Sequence, residues 1–240
     1  MERTLCVALL VFLIAGISQA NMIANPSFED VPDSSLGQGI LPSNWVNIPP
    51  PSPTADTWSD DGSYGLDPSA WANFAGVSAY DGKRWVAGWS GAGQENFGQF
   101  LSSNLVAGTQ YTMSGWLHQA FRPDINYAGG YEVYLTDDPA SLANSIVVDD
   151  DTKYLGFLGP TTGYADGWQY FSFDFTSTSA MTSLNFLGFA PVATAGGSAY
   201  PGLDLVSLEQ TVVPVPGAAI LGILGLSAAA VKFRRRRETK

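Results

Sequence analysis

Residues Trp168 to Thr176 read WQYFSFDFT, and this stretch decides the fold. Phe171, Phe173 and Phe175 recur at every second position, with Ser172, Asp174 and Thr176 between them. Side chains of a β-strand point alternately to its two faces, so this strand buries three rings on one side and wets the other. The same period of two runs through Thr109 to Leu117, where Tyr111, Met113 and Leu117 oppose Thr112 and Ser114. It appears again in Tyr131 to Thr136, where Tyr131, Val133 and Leu135 alternate with Glu132, Tyr134 and Thr136. Further strands are expected at Lys83 to Trp89, Asn96 to Leu101, Ser145 to Val148, Ser183 to Ala190 and Leu203 to Glu209. No stretch between the termini sustains a helical period over three turns. Many strands joined by Gly, Pro, Asp and Asn loops predict an all-β antiparallel sandwich or jelly roll, with a closed barrel as the alternative.

The segment from Val46 to Val77 departs from this pattern. It opens on Pro49, Pro50, Pro51 and Pro53 and reads as a long loop laid over one end or face of the sandwich. An indole offers an apolar face on which a pyranose ring can stack. Trp58, Tyr64 and Trp71 in this loop, with Trp89 beside a Gly-rich turn, are therefore the candidate sugar-binding surface. Trp45, Trp85, Trp116 and Trp168 fall on strands or strand starts and are expected in or near the core. Asp56, Asp60, Asp61 and Asp67 read as a solvated acidic loop rather than a cation site, and Asp149 to Asp151 read likewise.

No catalytic residues emerge. The single histidine, His118, reads as an ordinary surface or loop residue, and no G-x-S-x-G nucleophile elbow is present. A glycosidase would need two carboxylates about 5–9.5 Å apart. Nothing in the spacing of the acids singles out such a pair.

The ends speak to location. Residues 1–20 have the order of a secretory signal peptide: Glu2 and Arg3, an apolar run from Leu5 to Ile17, then small residues up to Ala20. The only cysteine, Cys6, lies in that segment, so the mature chain is expected to hold no disulfide or thiolate metal site. Residues 21–210 are the expected β-sandwich ectodomain. Residues 211–216 form a proline-containing linker, 217–233 an apolar transmembrane helix and 234–240 a basic cytoplasmic tail. The uncharged run Gly217 to Val231 reaches about 22 Å as a helix, just enough to span with snorkelling flanks. The arginines behind it place the folded part outside by the positive-inside rule.

Between the two ends the charge is strongly negative. Four bases, Lys83, Arg84, Arg122 and Lys153, face twenty acids from Asn21 to Val213, a net charge of −16. Such a surface repels phosphate backbones and argues against a nucleic-acid partner. It is compatible with divalent cations and with neutral polymers such as polysaccharides.

Two resemblances follow from particular residues. The C-terminal order of Pro214-Val215-Pro216, a short apolar helix and the cluster Arg234, Arg235, Arg236 and Arg237 resembles the PEP-CTERM sorting tail in its VPxP variant. That resemblance implies an exosortase-type processing enzyme as partner, a location in the cell envelope or extracellular matrix, and a link to exopolysaccharide. A plain C-terminal membrane anchor is the alternative.

The second resemblance spans the ectodomain. Asn25-Pro26-Ser27-Phe28-Glu29 is followed by Leu41-Pro42-Ser43-Asn44-Trp45, and later by Asp81-Gly82 and Phe97-Gly98-Gln99-Phe100-Leu101. Ala107 to Trp116 and Gly202-Leu203-Asp204-Leu205-Val206-Ser207-Leu208 complete the order. These resemble the galactose-binding-like jelly rolls, carbohydrate-binding modules included. The resemblance implies a structural Ca²⁺ held by Glu29 and Asp204, since two carboxylates supply hard oxygen ligands. Pro26 stands where glycine is usual, and Leu205 where a polar residue often follows the aspartate. The expected function is a non-catalytic envelope protein that binds carbohydrate or builds the exopolysaccharide matrix. A carbohydrate-active hydrolase or lyase on the same fold and a purely architectural surface protein are the alternatives.

Overall fold

Ten strands are divided between two sheets in the computed structural model, which describes residues 20–32, 35–48, 54–69, 74–91, 93–120, 128–143, 146–160, 167–194 and 196–211. In chain order they are β1 (Val46–Asn47), β2 (Asp56–Ser59), β3 (Arg84–Ala87), β4 (Phe97–Phe100) and β5 (Gln110–Gln119). They continue with β6 (Gly129–Thr136), β7 (Thr152–Leu158), β8 (Gln169–Thr176), β9 (Phe186–Ala193) and β10 (Pro201–Gln210). One sheet has the order β1-β4-β9-β6-β7, the other β2-β3-β10-β5-β8, and every pairing is antiparallel. The only helical elements among the described residues are two short 3₁₀ turns, Pro139–Leu142 and Ser179–Ser183. The chain is an all-β, two-sheet antiparallel sandwich of jelly-roll type.

The core follows from the alternation that the sequence displays. Tyr111, Met113 and Leu117 of β5 and Leu203, Val206 and Leu208 of β10 meet Tyr131, Val133 and Leu135 of β6 and Leu187 and Phe189 of β9 between the sheets. Trp45 lies at its aromatic centre, with ring centroids 4.8 Å from Phe28, 5.8 Å from Phe97 and 5.7 Å from Phe189. Burying side chains of this size contributes about 1.5–3 kcal/mol each. That is how a domain without disulfides closes its core.

The opening motif is a hydrogen-bonded knot rather than a strand. The Asn25 amide donates to the carbonyls of Asp30 and Ser43, and its oxygen accepts from the Asp30 N–H. Asn25 and Phe28 both take positive φ, 47° and 61°. For Phe28 that conformation is strained, and complete burial of its ring offsets the strain.

The structure departs from the sequence expectation at two places. The segment from Val46 to Val77 is not one long loop, because it contributes β1 and β2, and β2 pairs along its length with β3. Its strand character is hidden because Asp56, Thr57 and Ser59 are polar yet buried. Residues 146–148 are not a strand; the strand in that region is β7, a few residues later.

Residues Gln19–Gln210 form one compact unit. No helix of the described residues is long and apolar enough to cross a membrane. The signal peptide, the transmembrane run and the sorting residues Pro214, Pro216 and Arg234 to Arg237 lie outside the described residues.

Candidate functional site

The outer face of the β2-β3-β10-β5-β8 sheet divides into a covered half and an open half. Over the covered half, Trp58 of β2 and Trp85 of β3 stack at 6.3 Å with their planes 13° apart. Phe74, Tyr200, Trp89 and Trp168 pack on them to form a second, aromatic layer. His118 is part of that layer, buried with its ring 5.3 Å from Trp168. It is not the surface residue that the sequence predicts. It sits near the C-terminal end of β5, where the alternation turns it toward the cover.

At the loop end of this layer lie two buried carboxyls. Asp56 accepts from the Tyr200 hydroxyl at 2.7 Å and from the Gly39 N–H at 2.7 Å. Glu95 accepts from the Trp89 N–H at 2.8 Å. Burial, with the charge of neighbouring Asp56 second, pushes the Glu95 carboxyl up to about 8. Burial also raises Asp56 above the usual carboxylate range. The Tyr200 and Tyr131 hydroxyls are pushed well up, first by burial and then by these acids. Asp56 is thus not part of a solvated loop; it is one of a buried acid pair set among aromatic rings.

The open half carries a different arrangement. Tyr80 stacks on Trp116 of β5 with ring centroids 3.7 Å apart and planes 14° apart. Tyr170 of β8, the cross-strand partner of Trp116, lies 5.6 Å from it. Tyr80 is 42% exposed and Tyr170 54% exposed. Ser114, Ser172, Thr112 and Asp174 continue the same face along β5 and β8. An aromatic platform backed by hydroxyls and a carboxylate is thereby open to solvent.

Two carboxylates hold the loop that carries Tyr80. Asp204 of β10 accepts from the N–H groups of Tyr80 at 2.8 Å, Asp81 at 2.9 Å and Leu205 at 2.6 Å. Glu29 accepts from the N–H groups of Lys83 and Arg84, both at 2.7 Å, and pairs with the Arg84 guanidinium at 3.0 Å. These are the two residues that the resemblance assigns to calcium. Each of their four oxygens receives an N–H, which is the donor set of a loop anchor and does not fit a cation. Among the described residues no group of three or more His, Cys, Asp or Glu is arranged to hold a metal. Burial pushes the Asp204 carboxyl up to about 8 despite its three amide donors.

The remaining candidates separate. Trp58 and Tyr64 are buried and leave no ring face for a sugar. The Tyr64 hydroxyl donates to the Leu41 carbonyl at 2.8 Å, and its ring lies 5.9 Å beneath the Arg84 guanidinium. Trp89 is half-buried beside Glu95, and Trp71 lies outside the described residues. Sequence reading passed over Tyr170, although its place opposite Phe171, Phe173 and Phe175 in the alternation marks it as outward-facing. Tyr80 gave no such signal, because a loop held by two distant carboxylates puts it in place.

The sequence model of the HpiC1-like family, described as HpiC1 cyclase, matches residues 19–188. The chain belongs to the HpiC1-like family. No curated protein matches its sequence. Among solved structures, this HpiC1-like chain is similar to the Stig cyclase Fisc from Fischerella sp. TAU, in complex with (3Z)-3-(1-methyl-2-pyrrolidinylidene)-3H-indole. The identity is 17% over 82% of this chain and 98% of that one, with a TM-score of 0.48. A second Fischerella sp. TAU cyclase, in complex with 4-(1H-indol-3-yl)butan-2-one, is 14% identical over 83% of this chain and 100% of that one, with a TM-score of 0.49. The module TmCBM61 in complex with beta-1,4-galactotriose is 15% identical over 80% of this chain and 99% of that one, with a TM-score of 0.41.

Proposed function

We propose that this HpiC1-like protein is exported to the cell envelope and binds polysaccharide there through the open half of its outer sheet face. The observation that carries this reading is the Tyr80–Trp116 stack with Tyr170 beside it, with Tyr80 and Tyr170 about half exposed on the open half of that sheet face. Aromatic faces bury the apolar face of a sugar ring, while neighbouring hydroxyls and carboxylates satisfy its hydroxyl groups. The test is isothermal titration of the full-length protein in detergent against a panel of soluble polysaccharides. Saturable binding to one class, weakened at least tenfold by both Trp116→Ala and Tyr170→Ala, supports the reading. Absence of binding to every polymer leaves the architectural role instead.

One observation favours a second, enzymatic reading. At neutral pH the Glu95 carboxyl is largely protonated among aromatic walls, and a carboxylic acid kept neutral in this way can donate a proton. In a family named for a cyclase, that acid suits proton-triggered ring closure of an aromatic substrate. Saturation-transfer NMR with 4-(1H-indol-3-yl)butan-2-one is the check. Transfer to the ligand that disappears in Trp89→Ala supports this reading, and no transfer ends it.

A further inference from the structure

The open half of the sheet face has a composition that changes row by row. The first row is Trp116 on β5 with Tyr170 on β8. The second is Ser207 on β10, Ser114 on β5 and Ser172 on β8. The third is Glu209, Thr112 and Asp174 on the same three strands. Successive rows are two residues apart, about 7 Å, so the acids lie roughly 13 Å from the rings along the strands. Adjacent strands are about 4.8 Å apart, which makes the face a track about 10 Å wide.

The track is negative at one end and carries no base among the described residues. Glu209 and Asp174 are both exposed, flanking Thr112, whose hydroxyl donates to Asp174 Oδ1 at 2.7 Å. The bases among the described residues are committed elsewhere: Lys83 to Asp61, Arg84 to Glu29 and Lys153 to Asp150. An anionic polymer on this face would set its carboxylates against Asp174 and Glu209 with no counter-charge. A polymer bearing ammonium groups would stack one ring on the platform and set a cation between the two acids.

We infer that the ligand of this face is a linear amino-sugar polymer with free amines, recognised by ring stacking at Trp116 and Tyr170 and by charge at Asp174 and Glu209. The inference rests on the reading of the face as a polysaccharide site and adds the chemical class of the polymer. Charge complementarity across an interface selects among partners that stack equally well.

The experiment compares chitohexaose with its fully N-acetylated form, because the two share one backbone and differ only in whether the amines are free. Titrations use the full-length protein in detergent at pH 6 and 150 mM salt, with a guluronate hexamer as the anionic control. Chitohexaose is expected to bind at least tenfold tighter than the acetylated hexamer, and the guluronate hexamer not at all. Asp174→Asn and Glu209→Gln each weaken chitohexaose by a larger factor than they weaken the acetylated hexamer, so the preference shrinks. Asp150→Asn, which removes one exposed charge away from the face, leaves the preference intact. Equal affinity for the two hexamers overturns the inference while leaving the polysaccharide reading standing. So does a preference that Asp150→Asn reduces as much as Asp174→Asn, since that is attraction to the net charge alone. Failure of the full polymer panel to bind removes both readings.

Discussion

The two halves of one sheet face use the same residue types to opposite ends. In the covered half, the layer of Trp58, Trp85, Phe74 and Tyr200 ends at the buried Asp56 and Glu95; in the open half, Trp116, Tyr80 and Tyr170 lie in line with Asp174 and Glu209. The difference is water. Where the cover excludes it, the rings become core, and the acids are pushed toward their neutral forms. Where the cover stops, the rings keep a free face and the acids stay accessible to a ligand. The boundary is set by the segment around Phe74 and Tyr80: Phe74 is fully buried on Trp58 and Trp85, and Tyr80, six residues on, is half exposed on Trp116. Aromatic count is therefore a poor guide to a binding surface in this fold.

The strongest test of the contrast is truncation of one ring in each half. Trp85→Ala empties the middle of the covered layer and is expected to cost about 3–5 kcal/mol in urea unfolding, the range for a large aromatic removed from a core. Trp116→Ala removes a half-buried ring and is expected to cost a small fraction of that, while abolishing polysaccharide binding. Similar unfolding costs for the two variants would break the division. The acids supply the next test. Glu95 and Asp204 bind protons more tightly folded than unfolded, both titrating at about 8 in the native state. Their contribution to stability is fully present below the usual carboxylate range and is lost as pH rises through about 8. The urea midpoint is expected to fall between pH 5 and pH 8, with a shallower slope in Glu95→Gln. A midpoint that rises over that interval would mean that both carboxyls are ionised and well solvated.

Much of the fold could be read from residues and less of the site. The alternation in β5, β6 and β8 is plain because each buries apolar side chains on one face only, as Phe171, Phe173 and Phe175 show. Strand β2 escaped notice because both its faces are covered, by the sandwich core on one side and the aromatic layer on the other. A strand buried on two sides loses the period of two on which recognition depends. For the same reason Trp58 looked like a loop residue and is core, while Tyr64 does lie in the bend after β2 and is buried there. Trp116 and Tyr170 could be placed on one face by parity alone, but Tyr80 reaches that face through tertiary hydrogen bonds to Asp204, more than 120 residues away in the chain. No local pattern encodes such a contact.

Asp204 ties the halves together, so its substitution has a smaller effect on stability than loss of Trp85 but touches both readouts. Asp204→Asn puts an NH₂ against one of the amide sets it now accepts, leaving buried donors without an acceptor at about 1–3 kcal/mol. Polysaccharide affinity is expected to drop severalfold as Tyr80 loosens, while Asp60, which holds the N–H of Ala79 at 2.8 Å, keeps the loop from detaching altogether. Unchanged affinity in a destabilised Asp204→Asn protein would show that Tyr80 is not part of the platform.

The smallest expected effect is that of chelation. A calcium ion shared by Glu29 and Asp204 would need lone pairs that the N–H groups of Tyr80, Asp81, Lys83, Arg84 and Leu205 now engage. It would also bring a divalent charge beside the Arg84 guanidinium, which already supplies the cation that Glu29 pairs with at 3.0 Å. Melting curves in EDTA and in millimolar calcium are therefore expected to coincide, whereas Arg84→Met should lower the midpoint by removing the partner of a half-buried carboxylate. A calcium-dependent rise in the wild-type midpoint would mean that the 80–84 loop swings its amides away to admit the ion. In that event the loop carrying Tyr80, and with it the edge of the open face, would respond to calcium.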